Sequence, residues 1–304
     1  VLSVRTPEPE ITRKTNVFER GEWDKPSREA SVGVLSALHP LAQDHPDRLD
    51  FARWLAAKES PLTSRVQVNR VWQAIFGRGL VETSEDFGTR APIPRYQDVL
   101  DTLAVSFMET GWSQKALLRQ ILSSDVYAQT SHIAPEAYAQ DPYNERLMRG
   151  PRFRMEAEPI RDVVLNVSGL LHREIGGPSF FPPVPQSMLD DNFFKLDYWN
   201  EATGPTRYRR SLYVFRKRAM PDPVMTSFDA PNSDAACTRR VRSNTPLAAL
   251  TALNESVMVE AARAFAMRIV REGGGDDHSR INYAYRLCVA REATAAEHAA
   301  IEQA

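Results

Sequence analysis

Apolar residues recur at helical spacing along most of the chain, starting near residue 47. In the stretch 63–76, for example, Val68, Trp72 and Ile75 fall on one side of a helix. The helices predicted in this way cover about 47–56, 63–76, 96–109, 113–122, 156–173, 246–272 and 278–290, with a last one from Thr294. Short, proline- and glycine-rich connections favour antiparallel neighbours. The pattern predicts a mainly α fold, an irregular multi-helix domain.

The residues before this pattern predict a separate segment. Residues 1–46 are rich in Pro, Glu, Arg and Thr and show no sustained period, so we expect an extended arm or linker from an upstream domain. The run 17–22 favours one edge strand that ends in a turn at Gly21. Residues 47–304 form the predicted helical domain.

A long loop at 178–205 interrupts the helical pattern. Its prolines and aromatic residues indicate that it packs back on the core or lines a pocket. Two subdomains, 47–177 and 206–304, are predicted on either side of it. The alternating residues 211–215 favour one short strand, so β structure is at most a small element.

Composition excludes several classes of partner. The formal net charge of −1 gives no long-range attraction to nucleic acid, and no apolar run is long enough to span a bilayer. Cys237 and Cys288 lie in no metal or redox spacing, and the sequence leaves open whether they form a disulfide. The chain starts at Val1 without a charged and apolar leader, so we expect a piece of a larger protein.

Signatures of known chemistry are missing from the sequence. It contains no Cys-x-x-Cys-His for covalent haem, no glycine-rich phosphate loop and no Gly-x-Ser-x-Gly turn. Its six histidines are scattered without metal-ligand spacing. We therefore expect no metal and no cofactor in this chain.

Arg65, Asn69 and Trp72 are the first candidate for a binding site. They are spaced to project from one face of a helix. An arginine and an amide beside an indole suit a carboxylate, a sulfate or the edge of a sugar. The structural alternative, which we favour, is that Arg65 pairs with a carboxylate such as Asp86 and fastens the loop to the helix.

Glu158, Arg161 and Asp162 are the second candidate. Glu158 and Asp162 lie four residues apart on one helical face, and two carboxylates can serve as acid and base if burial separates their pKa values. Carboxylates in the first turn of a helix also complement its dipole. The dipole explains Glu158 better than Asp162.

The third candidate is the basic stretch that contains Arg210 and Arg216, together with Asp229. These residues indicate either a structural clasp of ion pairs or an anion site. Tyr198 and Trp199, in the aromatic loop, suit stacking on sugar rings.

Several runs of this chain resemble a known family. Two of them are LTSRVQVNRVW at 62–72 and RMEAEPIRD at 154–162. The others are 76–81, 86–88, 111–113, 209–216, 228–231 and 245–247. Together they look like the planctomycete-type domain of unknown function number 1553. The resemblance implies the carboxy-terminal part of a large exported protein, periplasmic or at the cell surface, with haem c in an upstream cytochrome domain in many members.

Three hypotheses about function follow. The first is a scaffold or interaction domain, whose partners are upstream domains of the same polypeptide and an envelope protein or polysaccharide. The alternative is a hydrolase or lyase acting on envelope or sulfated polysaccharide, with Glu158, Asp162 and Arg65 around a cleft. A third is a domain that supports haem electron transfer without contacting haem.

Overall fold

The computed structural model describes residues 14–41, 43, 46–190, 199–218 and 220–303. Within these residues the chain is mainly helical and the only sheet has two strands, which confirms the predicted fold class. They form two compact units that divide between Arg152 and Phe153. This division lies earlier in the chain than the loop 178–205.

The first unit, in its described residues, contains a hairpin followed by helices. Its elements are β1 (Asn16–Phe18), β2 (Pro26–Glu29), α1 (Arg48–Leu55), α2 (Thr63–Phe76), α3 (Gln97–Glu109), α4 (Gln114–Leu122), α5 (Asp125–Ala128) and α6 (Pro135–Gln140). The two strands are antiparallel, with Asn16 opposite Glu29. The strand predicted near residue 17 is therefore present, and β2 is the partner that the sequence did not predict.

The core of the first unit lies among α2, α3 and α4. Val68, Leu100 and Leu117 are almost completely buried there, one from each helix. The apolar stripes that predicted these helices are the faces that meet in the core. Ser113 caps α4 as predicted, because its hydroxyl accepts a hydrogen bond from the backbone N–H of Ala116 at 3.3 Å.

The second unit contains longer helices and irregular segments. Its helices are α7 (Ala157–Ser168), α8 (Gln186–Asp190), α9 (Pro223–Ser227), α10 (Pro246–Asn254), α11 (Ser256–Glu272), α12 (Asp277–Val289) and α13 (Ala295–Glu302). Helix α7 packs mainly against α11. Leu165 of α7 and Ala261 of α11 are buried.

Two predicted helices of this unit have different bounds. Helix α7 ends five residues before the predicted end, because Gly169 adopts a left-handed conformation with φ of 84° and stops it. The single helix predicted over 246–272 is two helices, since Glu255 adopts an extended conformation and caps α11 with its own carboxylate.

The strand predicted at 211–215 is absent from the described structure. Ser211–Tyr213 is a short 3-10 helix instead. The segment next to it pairs only through isolated bridges, such as the one between Phe180 and Val214. Because Phe180 N–H and C=O both bond to this segment, at 2.9 and 2.8 Å, the start of the long loop packs back on the second unit.

Candidate functional site

The first turn of α7 lies in a group of paired charges. Glu158 accepts hydrogen bonds from Arg240, at 2.6 Å, and from Arg216. Glu156, the residue before α7, pairs with Arg240 at 2.9 Å and with Arg242 at 3.2 Å. We call these five residues the α7 charge cluster. Each carboxylate of the cluster has two guanidinium partners.

The surroundings of Glu158 keep it ionised. Burial by itself would raise the pKa of Glu158, but hydrogen bonds from Arg240 and Arg216 outweigh it and bring that pKa below its ordinary value. The pKa of Arg240 is raised, because hydrogen bonding to Glu158 outweighs the opposing effect of burial. A carboxylate held in this state is poorly suited to donate a proton at neutral pH.

Replacing Glu158 by glutamine is expected to lower the free energy of unfolding by about 1–3 kcal/mol at pH 7, because two guanidinium groups lose their anion. The lowered pKa of Glu158 means that its stabilisation is present above the ordinary value of 4.5 and is lost as the pH falls through the lowered pKa. The difference between Glu158→Gln and the native chain should therefore shrink in acid. Urea unfolding at several pH values measures it.

The exposed Glu302 supplies the control for this variant. Glu302→Gln should change the free energy of unfolding by less than about 0.5 kcal/mol at every pH. A pH-independent loss in Glu158→Gln would contradict the assigned role of the ionised carboxylate.

Arg161 and Asp162, the next candidate pair, fasten α7 to the chain at 207–211. The Arg161 side chain is 2% exposed and donates hydrogen bonds to the backbone carbonyls of Arg207 and Arg209, both at 2.9 Å. Asp162 Oδ1 accepts from the N–H and the hydroxyl of Ser211, at 2.7 and 2.8 Å. Both predicted site residues therefore bond to the protein's own chain.

Two further carboxylates act on Arg161, and sequence reasoning missed them. Asp222 caps α9 by accepting from Met225 N–H at 2.9 Å, and Glu255 caps α11. Burial raises the pKa of both carboxyl groups. Burial also lowers the pKa of Arg161, while Asp222 and Glu255 act in the opposite direction. The only sequence signal was Asp222 before Pro223, which is typical of a helix start.

Asp229, a predicted binding residue, pairs with Arg154. It also accepts hydrogen bonds from Ser243, at 2.8 Å from the N–H and 2.9 Å from the hydroxyl. Arg154 donates to the carbonyl of Ser243 at 3.0 Å as well. This arrangement joins three distant stretches of the second unit.

The remaining candidates of the second unit lie in separate places. Arg210 is exposed, whereas Arg216 belongs to the α7 charge cluster. Trp199 donates to the carbonyl of Pro182 at 3.0 Å and packs edge-on against Phe181. Tyr198 lies outside the described residues.

Arg65, in the first unit, pairs with a different carboxylate from the expected one. Its Nε lies 2.6 Å from Asp101 Oδ1 on α3, whereas the nearest partner of Asp86 is Arg90, at 3.5 Å. The hydrogen bond from Arg65 holds the pKa of Asp101 below its ordinary value. Asp86 was therefore the wrong partner, because α3 packs beside α2 and brings Asp101 within reach.

Asn69 holds α2 to the loop that follows it. Its side-chain amide donates to the carbonyl of Val81 at 3.0 Å and accepts from the N–H of Val81 at 2.8 Å. The side chain is 1% exposed. Gly79 lies against this amide: a Cβ there would be 2.7 Å from Asn69 Nδ2. The Asn69 amide therefore bonds to both backbone groups of Val81, as the backbone of a neighbouring residue would.

Trp72 belongs to the core and also borders two hollows. It is 5% exposed and packs on Phe76 with 4.3 Å between ring centroids. The two cavities have volumes of about 320 and 580 Å³. Leu80, Tyr96 and Leu147 line both of them, together with Trp72. Little of the indole is therefore available to a ligand.

The described residues also bear on metal binding, on a disulfide and on membrane insertion. Across the described ranges, no group of three histidine, cysteine or acidic side chains is placed to hold a metal ion. Cys237 and Cys288 are both exposed and are not bonded to each other. In the same residues, no helix combines the length and the apolar character needed to cross a bilayer.

Comparison with known proteins gives one match. A family described as PSD1, protein of unknown function (DUF1553), matches residues 47–304. No curated protein and no solved structure matches the chain. The matched residues start where the helical pattern starts and leave out the first 46.

Proposed function

Since the chain belongs to the PSD1 family of proteins of unknown function (DUF1553), we propose that it is a scaffold or interaction domain without catalytic activity of its own. The observation that supports this is the pairing of the candidate catalytic groups. Glu158 is held by Arg216 and Arg240, and Asp162 is held by Ser211.

A catalytic carboxylate has to reach a substrate, and its pKa has to suit proton transfer. Glu158 fails on both counts, because arginines occupy its two oxygens and lower its pKa. In Asp162, one oxygen accepts both hydrogen bonds from Ser211. Such groups stabilise a rigid surface, which is what a domain that positions other modules requires.

The proposed setting is outside the cytoplasm, in a larger multidomain protein. There the domain would position upstream modules, among them one that carries haem c, against an envelope protein or polysaccharide. The resemblance of runs such as 154–162 to exported proteins supports this setting. Fractionation of source cells with immunodetection tests it, and recovery of the parent protein in the cytoplasm would contradict it.

An activity assay with Asp162→Asn tests the scaffold against the enzyme hypothesis. The native chain is expected to release no reducing ends and no unsaturated products from neutral, carboxylated or sulfated polysaccharides. Asp162→Asn should lower the free energy of unfolding by about 1–3 kcal/mol, because Ser211 loses a charged acceptor. Turnover by the native chain that disappears in a stably folded Asp162→Asn would overturn the scaffold proposal and establish a hydrolase or lyase.

Glu297→Gln is a matched control for that assay. Glu297 is a half-buried helix-cap carboxylate with an arginine partner, Arg291, at 2.7 Å. It lies in α13 and has no proposed part in the function. Turnover that is retained equally in both variants would indicate a contaminating enzyme, and turnover that is lost equally in both would indicate general instability. Either result would leave the scaffold proposal in place.

A further inference from the structure

The second unit contains a cavity whose lining includes none of the candidate site residues described above. It has a volume of about 780 Å³ and lies between the end of α7 and one face of α11, with Leu287 of α12 at its edge. This volume is in the range of sites for small-molecule ligands, roughly 300–1,000 Å³. We call it the α7–α11 cavity.

The charged lining of the α7–α11 cavity is strongly positive. Four arginines line it against a single carboxylate; they are Arg173, Arg263, Arg268 and Arg271, with Glu272. Arginine presents a planar set of donors that matches phosphate, sulfate and carboxylate groups. In a chain whose formal net charge is −1, this excess of positive charge is local.

Two of these arginines are committed to the fold. Arg268 donates to the carbonyl of Val167 at 2.9 Å and to Glu272 at 2.9 Å. It thereby satisfies a free carbonyl at the end of α7. Arg173 donates to the side chain of Asn166 at 2.7 Å. These bonds hold the wall of the cavity in place.

Arg263 and Arg271, in contrast to Arg173 and Arg268, are not bonded to the part of the fold that the structure describes. Both guanidinium groups are exposed, and among the described residues neither makes a hydrogen bond or an ion pair. They are eight positions apart on α11, which places their backbones roughly 12 Å apart along the helix axis. Two unpaired donors at this spacing suit a ligand that has more than one anionic group.

The remaining lining favours a discrete ligand over a membrane surface. Leu170, Met267 and Leu287 add apolar wall between the charged groups. The basic groups thus surround a hollow and do not form a raised patch, whereas an anionic bilayer is contacted by an outward-facing basic surface. The hollow also has room for more than one small inorganic ion.

From these observations we infer that the α7–α11 cavity binds a small ligand with two or more phosphate, sulfate or carboxylate groups. Arg263 and Arg271 each bind one anionic group, while Arg173 and Arg268 shape the wall. The inference is independent of the scaffold role, because it concerns residues that take no part in the α7 charge cluster.

Isothermal titration of the native chain tests the inference. The probes are tripolyphosphate, a sulfated heparin tetrasaccharide and tetragalacturonate, with neutral maltotetraose for comparison. At least one anionic probe is expected to bind with a Kd below about 1 mM. In the double variant Arg263→Gln/Arg271→Gln that Kd should rise at least about tenfold, since each variant site loses charge-assisted hydrogen bonds. The thermal midpoint should be unchanged because both side chains are exposed.

The matched control is Arg70→Gln/Arg119→Gln, which removes the same charge from two exposed helical positions in the first unit. Its Kd should change by less than about threefold. Equal weakening in the two double variants would overturn the site in favour of diffuse attraction. Binding of no soluble probe, or binding only to vesicles that contain phosphatidylglycerol, would also overturn it.

Discussion

Replacing Arg161 by methionine is expected to lower the free energy of unfolding of the second unit by about 3–5 kcal/mol. The side chain is 2% exposed, and its loss leaves the carbonyls of Arg207 and Arg209 without their donor. It also removes a cation that acts on the carboxyl groups of Asp222 and Glu255, although Arg216 still acts on Asp222. Methionine preserves most of the volume, so the missing charge and hydrogen bonds dominate.

The loss in Arg161→Met should depend on pH. Burial already raises the pKa of Asp222 above 3.8, and loss of the guanidinium would raise it further. A carboxyl group with a raised pKa binds protons in the folded state, so stability falls as the pH rises from the ordinary value to the raised one. The deficit of Arg161→Met is therefore expected to be larger at pH 7 than at pH 4.

Hydrogen-exchange mass spectrometry in urea measures this loss unit by unit. Peptides from α7 and α11 should lose protection in Arg161→Met, whereas peptides from α2 and α3 report on the other unit. Arg210→Met is the control, because Arg210 is exposed in the same stretch of chain. A deficit below about 1 kcal/mol, or one shared by Arg210→Met, would show that Arg161 does not stabilise the second unit as argued.

Replacing Trp72 by alanine is expected to cost the first unit about 3–5 kcal/mol. Trp72 is 5% exposed and packs on Phe76, so truncation removes a large buried surface. The new void would open into the two cavities that the indole lines. Water is expected to enter it, and peptides from α2 to α4 should lose protection against exchange.

Trp23→Ala is the comparison for this variant. Trp23 is 82% exposed, so its removal should change stability by less than about 0.5 kcal/mol. If Trp72→Ala kept its stability and instead abolished binding of a sugar or an anion, the packing role would be wrong. The binding role that the sequence suggested for Arg65, Asn69 and Trp72 would then gain support.

The sequence predicted the long periodic helices well. Helices α2, α3 and α4 start and end within a residue or so of their predicted bounds, because their apolar stripes are regular and glycines follow α2 and α3. Short elements such as α9 and β2 were missed. They hold only four or five residues, too few to show a period.

Two predicted helix bounds were wrong because a single residue ends or starts the helix there. The apolar pattern continues past Gly169, but the backbone at that glycine turns left-handed and ends α7. Leucine and alanine positions also recur from Leu247 to Leu253, yet the carboxylate of Glu255 caps a new helix two residues later. In both places a local backbone conformation outweighs the periodicity.

Charge partners were harder to predict than helices. The sequence identified Glu158 and Asp162 as unusual, and these predictions about their function stay open. It did not identify the partner of Arg65, since Asp101 lies 36 residues further on and only the packing of α3 on α2 brings them together. Which charged side chains pair depends on how the helices pack, and the spacing of residues in the sequence does not reveal that packing.

The contact between Gly79 and Asn69 has a consequence for sequence change in this family. A methyl group at 79 would lie 2.6 Å from the carbonyl oxygen of Val81, and the side-chain amide of Asn69 occupies the rest of the space beside the glycine. A smaller residue at 69 would not relieve the clash of alanine at 79 with this carbonyl oxygen, and it would leave Val81 without the bonds from the amide. Glycine at 79 and asparagine at 69 are therefore expected to be retained together.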